Sequence, residues 1–298
     1  MLNQSVRPDE ILVMDDASTD DSVEVVERIA REHPIVRLHR SEKNLGVVLN
    51  MNRGLELARG DYVFLSSADD QVGPGFFEKS LRLLAGHPQA ALSCTIGDWH
   101  ELDTGLKWHM GVGMADTPSY LSPARMVEVE RRGRLYISPN SVIFRRAALI
   151  EVGKFVPELK YACDWFAMYV AGFRYGICFV PEPLAVFNIS RESYYHRSRR
   201  QKEKHGQMVH DLLKHLLRPD FGDAVDRIRI SGALYMFGWP VLQAVMTQPQ
   251  YRWFLTPLYV RKALWHSLRI QIKRFTPTFL GNWYLRMAGY RTPSVNSP

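Results

Sequence analysis

Asp15-Asp16-Ala17-Ser18-Thr19-Asp20 follows the apolar run Ile11-Leu12-Val13-Met14, and Ser66-Ser67-Ala68-Asp69-Asp70 follows Tyr62-Val63-Phe64-Leu65. Each apolar run is short, rich in β-branched or aromatic residues and bounded by polar ones, the pattern of a buried strand. Each acidic run therefore falls at the carboxyl end of a strand, the edge of an open parallel sheet where ligands bind. Carboxylates placed there accept hydrogen bonds from a base or a ribose, or hold a hard divalent cation through oxygen. Such a cation neutralises a diphosphate as it leaves. Either run alone reads equally well as a turn and helix cap. Two of them at successive strand ends favour a ligand site.

The elements that position these carboxylates repeat one unit. Apolar runs begin near residues 11, 35, 62 and 90, a recurrence of about 26 residues that suits strand-helix-strand crossovers in a parallel sheet. Between them, residues 22–32 set Val23, Val26, Ile29 and Ala30 on one helical face, and residues 47–58 do the same with Val48, Met51, Leu55 and Ala58. Gly60 is expected to end the second helix. A third helix is expected over 76–85. The fold class is therefore α/β, a doubly wound, mostly parallel, Rossmann-like sheet. Three parts are expected: residues 1–95 as the repeating strand-helix half, 96–200 as a substrate-facing half of the same domain, and 201–298 as a basic, aromatic, helical extension.

Hydrophobic residues make up 46% of the chain and charged residues 23%, which excludes disorder over its whole length. Cys94, Cys163 and Cys178 are too few and too scattered for a disulfide framework or a structural zinc site, so a reducing, cytoplasmic setting is expected. The polar start has no secretory leader pattern. No window reaches the length of a membrane span; the nearest, residues 230–246, is interrupted by polar and glycine residues and reads as buried or interfacial. The net charge of +7 is unevenly placed. No acidic residue follows Asp226, while ten Lys and Arg do, leaving 28 of the 38 basic residues against 31 acids in the rest. That asymmetry points to an anionic partner.

The tail interleaves these cations with large apolar groups, as in Tyr251-Arg252-Trp253-Phe254-Leu255 and Val260-Arg261-Lys262-Ala263-Leu264-Trp265. A helix of this kind lies in a membrane interface, or packs its aromatics on the body and exposes its cations. Nucleic acid is not expected, because no nucleic-acid-binding motif accompanies the charge. The run His196-Arg197-Ser198-Arg199-Arg200 suits either a diphosphate or a solvated helix start. Trp99, Trp108 and Trp165 suit either sugar stacking or a core.

Taken together, the motifs resemble the inverting family 2 glycosyltransferases. Glu10 to Asp20 is similar to that family's EIIVVDDGSTD segment. Asn44-Leu45-Gly46 with Asn52-Arg53-Gly54-Leu55-Glu56-Leu57-Ala58-Arg59-Gly60-Asp61-Tyr62 is similar to its NLG and NRGLELARGEY segments, and Ser67-Ala68-Asp69-Asp70 with Pro74 to its DADDxxxP. Pro139 to Arg146, Tyr161 to Tyr169 and Val180 to Phe187 extend the likeness over about residues 8–190.

The resemblance implies a GT-A fold and transfer of a sugar from a nucleoside-diphosphate donor, a UDP-sugar first, to a hydroxyl on a glycan or lipid-linked acceptor. A polysaccharide pathway on the inner face of the membrane is the family-level setting. Asp16 falls where the family contacts the base, with Asp15 and Ser18 beside it. Asp69 falls where it contacts ribose and diphosphate. Asp70 falls where it ligates Mg²⁺ or Mn²⁺. Ser67 replaces the first carboxylate of the metal motif in many members, which weakens the metal assignment. Asp164 falls where the family places its general base, the group that takes the proton of the attacking hydroxyl. Cys163 replaces the acidic neighbour that often precedes that base. Asp164 also suits a helix cap, and the two roles are compatible. Family members usually begin with a further strand and helix, so the edge of the 11–13 strand is expected to be open. The alternative is a non-catalytic protein that keeps the fold and binds a nucleotide sugar or glycan.

Overall fold

The apolar runs form strands β1 (Ile11–Asp15), β2 (Val36–Arg40) and β3 (Tyr62–Phe64) in a computed structural model that describes residues 1–190 and 202–275. Between and after them come α1 (Ser22–Glu32), α2 (Val47–Leu57), β4 (Gln71–Val72) and α3 (Phe76–Gly86). Gly60 does not end α2. Ala58 does so in an extended conformation, and Gly60 lacks the positive φ of a left-handed cap. At Gly54 the missing side chain lets α2 lie against Met14 of β1, whose Cγ a Cβ would meet at 3.2 Å.

The second half supplies β5 (Leu92–Glu101), β6 (Lys107–Met110), β7 (Ser119–Leu121), α4 (Pro123–Arg131), β8 (Val142–Arg145), α5 (Arg146–Glu151), α6 (Cys163–Tyr175) and β9 (Ile177–Ile189). β1 and β2 pair in parallel as a sheet of their own. The other seven strands form a second sheet along the path β3-β8-β5-β9-β4, with β6 added to β5 and β7 to β9. Its long β5–β9 ladder is parallel and its other pairings are antiparallel. Pro181 and Pro183 lack the N–H a ladder needs, and the β5–β9 register shifts there, from Thr95 opposite Val180 to Ile96 opposite Pro183. Among the described residues β1 pairs only with β2, and β3 only with β8. The β1–β2 layer is also lightly packed. An open pocket of about 310 Å³ is lined by Met1, Leu2, Ile11, Val13, Val26 and Ile29.

The main core gathers around α6. Every residue from 165 to 173 is buried, which makes α6 apolar all round and places it at the centre of the molecule. Against it pack β5, α4 and, among the helices that follow β9, α7 (Lys202–Leu216) and α8 (Gly222–Ser231), while α9 (Trp239–Thr247) and α10 (Pro257–Phe275) add residues to the same core. Fully burying a Leu or Phe contributes about 1.5–3 kcal/mol, and Leu212, Phe166, Phe221 and Phe254 all lie in this cluster. α10 is fastened by Lys262, whose ammonium donates to Glu130 Oε1 at 2.5 Å, to the Glu130 carbonyl and to Ser231 O at 3.2 Å. No helix among the described residues is long and apolar enough to cross a membrane.

Candidate active site

Asp15 ends β1 and turns back on the chain. Both its oxygens accept from the Ser18 N–H at 3.3 Å, and Arg40 on β2 approaches Oδ2 at 3.9 Å. The carboxylate is buried, so these contacts account for an otherwise costly charge. Asp16 points to the neighbouring loop. Its Oδ1 accepts from Leu45 N–H at 2.8 Å and its Oδ2 from Gly46 N–H at 2.9 Å. Gly46 takes φ 84°, a value that favours glycine, and then opens α2. The two loops that follow β1 and β2 are thereby locked together. Ala17 between them sits at φ 63°, left-handed without being glycine. Ser18 is exposed beside it.

Asp69 and Asp70 end the β3 loop and are held from β9. Asn188 donates its backbone N–H to Asp70 Oδ1 at 3.0 Å and its side-chain amide to the Asp69 carbonyl. Asp69 is exposed and Asp70 is half-buried. Burial pushes the Asp70 carboxyl up to about 7; the Asn188 N–H opposes the rise and the Asp69 charge adds to it. The carboxylate of Asp70 is thus short of compensating charge.

Asp164 lies inside the first turn of α6, where Ala162 rather than Asp164 occupies the cap position. Its Oδ1 accepts the Trp165 N–H at 2.6 Å. Burial pushes its carboxyl up to about 6, against the lowering effect of that bond. Four residues before Asp164 the backbone turns sharply at Lys160, with φ 49° and ψ −121°. Strain of this kind is retained only where the surroundings over-determine it. Tyr161 beside it pairs with His205 of α7.

Three groups lay outside the sequence reading. Asn188 follows directly on the expected 180–187 strand and is visible as a site residue only through the antiparallel β4–β9 register, which sets Gln71 opposite Val186. Asp98 on β5 pairs with His100 Nε2 at 2.9 Å and His109 Nε2 at 3.6 Å. The ladders set His109 opposite Asp98 and His100 beside Asn188, so this cluster neighbours the strand that holds Asp70. Asn52 of the NRG segment clamps the backbone of Phe155. Among the described residues no group of three or more His, Cys, Asp or Glu is arranged to hold a metal ion.

The tryptophans resolve differently from one another. Trp99 is buried, donates to Ser138 Oγ at 3.0 Å and packs on Phe187. Trp165 is buried against Tyr169 and Phe237. Both are core residues, and only Trp108 of the three stays half-buried. The arginine run 196–200 lies outside the described residues.

The model of the family described as "Glycosyl transferase family 2" matches residues 1–153, just over half of the chain. This chain belongs to glycosyl transferase family 2. The matched segment of the family 2 domain holds Asp15, Asp16, Asp69 and Asp70, while Asp164 lies beyond it.

Among curated proteins the chain is 36% identical over 99 residues to YibD of Escherichia coli, an uncharacterized glycosyltransferase, covering 33% of this chain and 28% of that one. It is 25% identical over 214 residues to EpsH of Bacillus subtilis, a putative glycosyltransferase, covering 70% and 60%. It is 35% identical over 71 residues to the cholesterol galactosyltransferase of Borreliella burgdorferi, covering 24% and 20%. The matches thus span between 20% and 60% of these three relatives' own length. Of solved structures, residues 1–349 of TarS from S. aureus, crystallised with UDP-GlcNAc, superpose with a TM-score of 0.61 at 15% identity, covering 81% of this chain and 69% of that one. That likeness carries the α/β fold.

Proposed function

We propose that the chain transfers a sugar from a nucleoside-diphosphate donor to a hydroxyl acceptor with inversion at the anomeric carbon. The observation that carries this reading is the Asp69–Asp70 turn. One carboxylate is exposed and the next is half-buried with its pKa pushed up to about 7, both fastened to Asn188 at a strand end. A carboxyl in that state binds a proton or a cation readily, which suits the diphosphate end of a donor.

The residues fit a divalent cation that shares its coordination with the substrate. Mg²⁺ is commonly held by one or two carboxylates plus substrate phosphates, and Asp69 and Asp70 offer that donor set, while no fuller cage is present among the described residues. Bound there, Mg²⁺ or Mn²⁺ supplies charge neutralisation for the departing diphosphate. Asp16, locked to the loop at 45–46, borders the space for the base and ribose. Asp164 takes the acceptor proton: the hydroxyl oxygen bonds to the anomeric carbon, the carbon–oxygen bond to the diphosphate breaks, and its electron pair leaves with the diphosphate. A carboxyl pushed up to about 6 is a stronger base than an ordinary one and is still ionised at neutral pH. TarS with UDP-GlcNAc and with UDP supports a UDP-sugar as the first donor class to try. A glycan or lipid-linked hydroxyl remains the acceptor class.

A second reading, a nucleotide-sugar binder without turnover, is favoured by Ser67 in place of a carboxylate. Titration calorimetry of UDP and GDP with and without Mn²⁺, alongside donor hydrolysis, separates the two. Metal-dependent UDP binding that Asp70→Ala abolishes, with slow hydrolysis of a UDP-sugar by the parent protein, supports the transferase. Binding with no turnover of any donor supports the binder. No nucleotide binding by folded protein sinks both.

A further inference from the structure

The outer face of α10 carries a stripe that the fold does not use. Arg261, Leu264, Trp265 and Leu268 recur at helical spacing on one side and are all exposed, Leu264 and Trp265 at 56% each. The opposite side, with Tyr259 and Ala263, is buried against the body. The helix is therefore apolar on two faces, of which one is packed. The same character continues onto its neighbours. α9 and the turn Pro249–Phe254 pack together, and α9 also touches α10. They present Trp239 at 62% exposure and Trp253 at 42%. Every exposed tryptophan among the described residues lies between 239 and 265, whereas Trp99 and Trp165 are buried.

Charge decides what this surface fits. No acidic residue follows Asp226 in the sequence, and Arg252 and Arg261 are exposed within the patch. A second copy of the chain would set the exposed arginines of one patch against those of the other, which disfavours a self-interface. Tryptophan at headgroup depth, leucine below it and arginine at phosphate level is the arrangement an anionic bilayer surface accepts. We propose that α9, the turn at 249–254 and α10 form a docking surface for anionic lipid, which holds the protein on the membrane plane without crossing it. Lys262, fastened to Glu130 on α4, then fixes the orientation of the docked helix relative to the sheet.

The test uses the full chain and vesicles of phosphatidylcholine alone or equimolar with phosphatidylglycerol, read by co-sedimentation and tryptophan emission. The expected result is binding to the anionic vesicles with a blue shift, and little binding to the neutral ones. Arg252→Gln with Arg261→Gln is expected to weaken partitioning about thirtyfold, at about fivefold per cation. Leu264→Ser with Leu268→Ser is expected to remove the blue shift. These positions are exposed, so unchanged circular dichroism and melting keep a loss of binding interpretable. Sedimentation that depends on neither the arginines nor the leucines overturns the proposal. So does a concentration-dependent dimer that Leu264→Ser dissolves without any vesicle binding, which assigns the surface to a second copy. Binding to a mixed-sequence RNA but not to either vesicle assigns it to nucleic acid and equally overturns the proposal.

Discussion

Asn52 and Phe155 exchange two hydrogen bonds across the molecule: the Asn52 amide donates to Phe155 O at 2.7 Å, and Phe155 N–H donates to Asn52 Oδ1 at 3.1 Å. One side chain on α2 thus pairs both backbone groups of Phe155, in a stretch outside any strand that leads toward Asp164. Asn52→Ala leaves both backbone groups unpaired in a partly buried place. Each such loss costs about 1 kcal/mol, so the variant should lose about 2 kcal/mol in urea denaturation. Asn52→Asp keeps the acceptor and forfeits the donor, and should fall between. An alanine variant as stable as the parent would show that water replaces the clamp.

Ala17 bears a left-handed backbone, φ 63°, between the two aspartates and Ser18. The left-handed region costs a residue with a Cβ about 1–2 kcal/mol, and glycine removes that cost at the price of a looser unfolded chain. Ala17→Gly is therefore expected to raise stability by about 0.5–1 kcal/mol, seen as a higher melting temperature. A lower melting temperature would show that the methyl group packs to advantage.

The carboxylates were legible because acids seldom follow two successive apolar strands without a use, and the helices α1 and α3 were legible from their amphipathic spacing. Their partners were not. Leu45 and Gly46 reach Asp16 across about thirty positions, at separations of 29 and 30, and Asn188 reaches Asp70 across 118. Such pairs follow from sheet register, which no local pattern encodes. β5 runs on through Gly97-Asp98-Trp99-His100, well beyond the apolar run at 90–94, because β6 and β9 supply hydrogen bonds on either side. For Trp99 and Trp165 the residue type left stacking and core open, and tertiary burial settled on core.

The Glu130–Lys262 pair gives a pH-dependent stability of known sign. Burial pushes Glu130 from its ordinary 4.5 up to about 7 and pushes Lys262 down, so desolvation outweighs their attraction for both. A carboxyl that holds its proton longer in the fold than in the unfolded chain costs stability as pH rises from about 4.5 to about 7, and the cost then levels off. Lys262→Met removes the cation that restrains this shift, so the cost keeps growing above pH 7. Denaturation of Lys262→Met should show a loss of about 3–5 kcal/mol near pH 8 and a smaller one near pH 6. Adding Glu130→Gln should recover most of it. A loss independent of pH would mean that Lys262 acts through the Ser231 and Glu130 carbonyls alone.

Asp164 makes the sharpest kinetic prediction, because its ionised form must act and its carboxyl is pushed up to about 6. Below that pH the base is protonated, and kcat/KM for a UDP-sugar and an acceptor alcohol should fall about tenfold per pH unit. Asp70 titrates nearby, at about 7, so the profile is measured at saturating Mn²⁺, which keeps that carboxyl ionised if it holds the cation. Asp164→Asn should lower kcat by about 10²–10⁴ while leaving UDP affinity unchanged, since the proposed function assigns the donor's nucleotide to the other carboxylates. An acid limb that survives in Asp164→Asn would move the proton acceptor elsewhere. The Asp98–His100–His109 cluster beside Asn188 would be the next place to look.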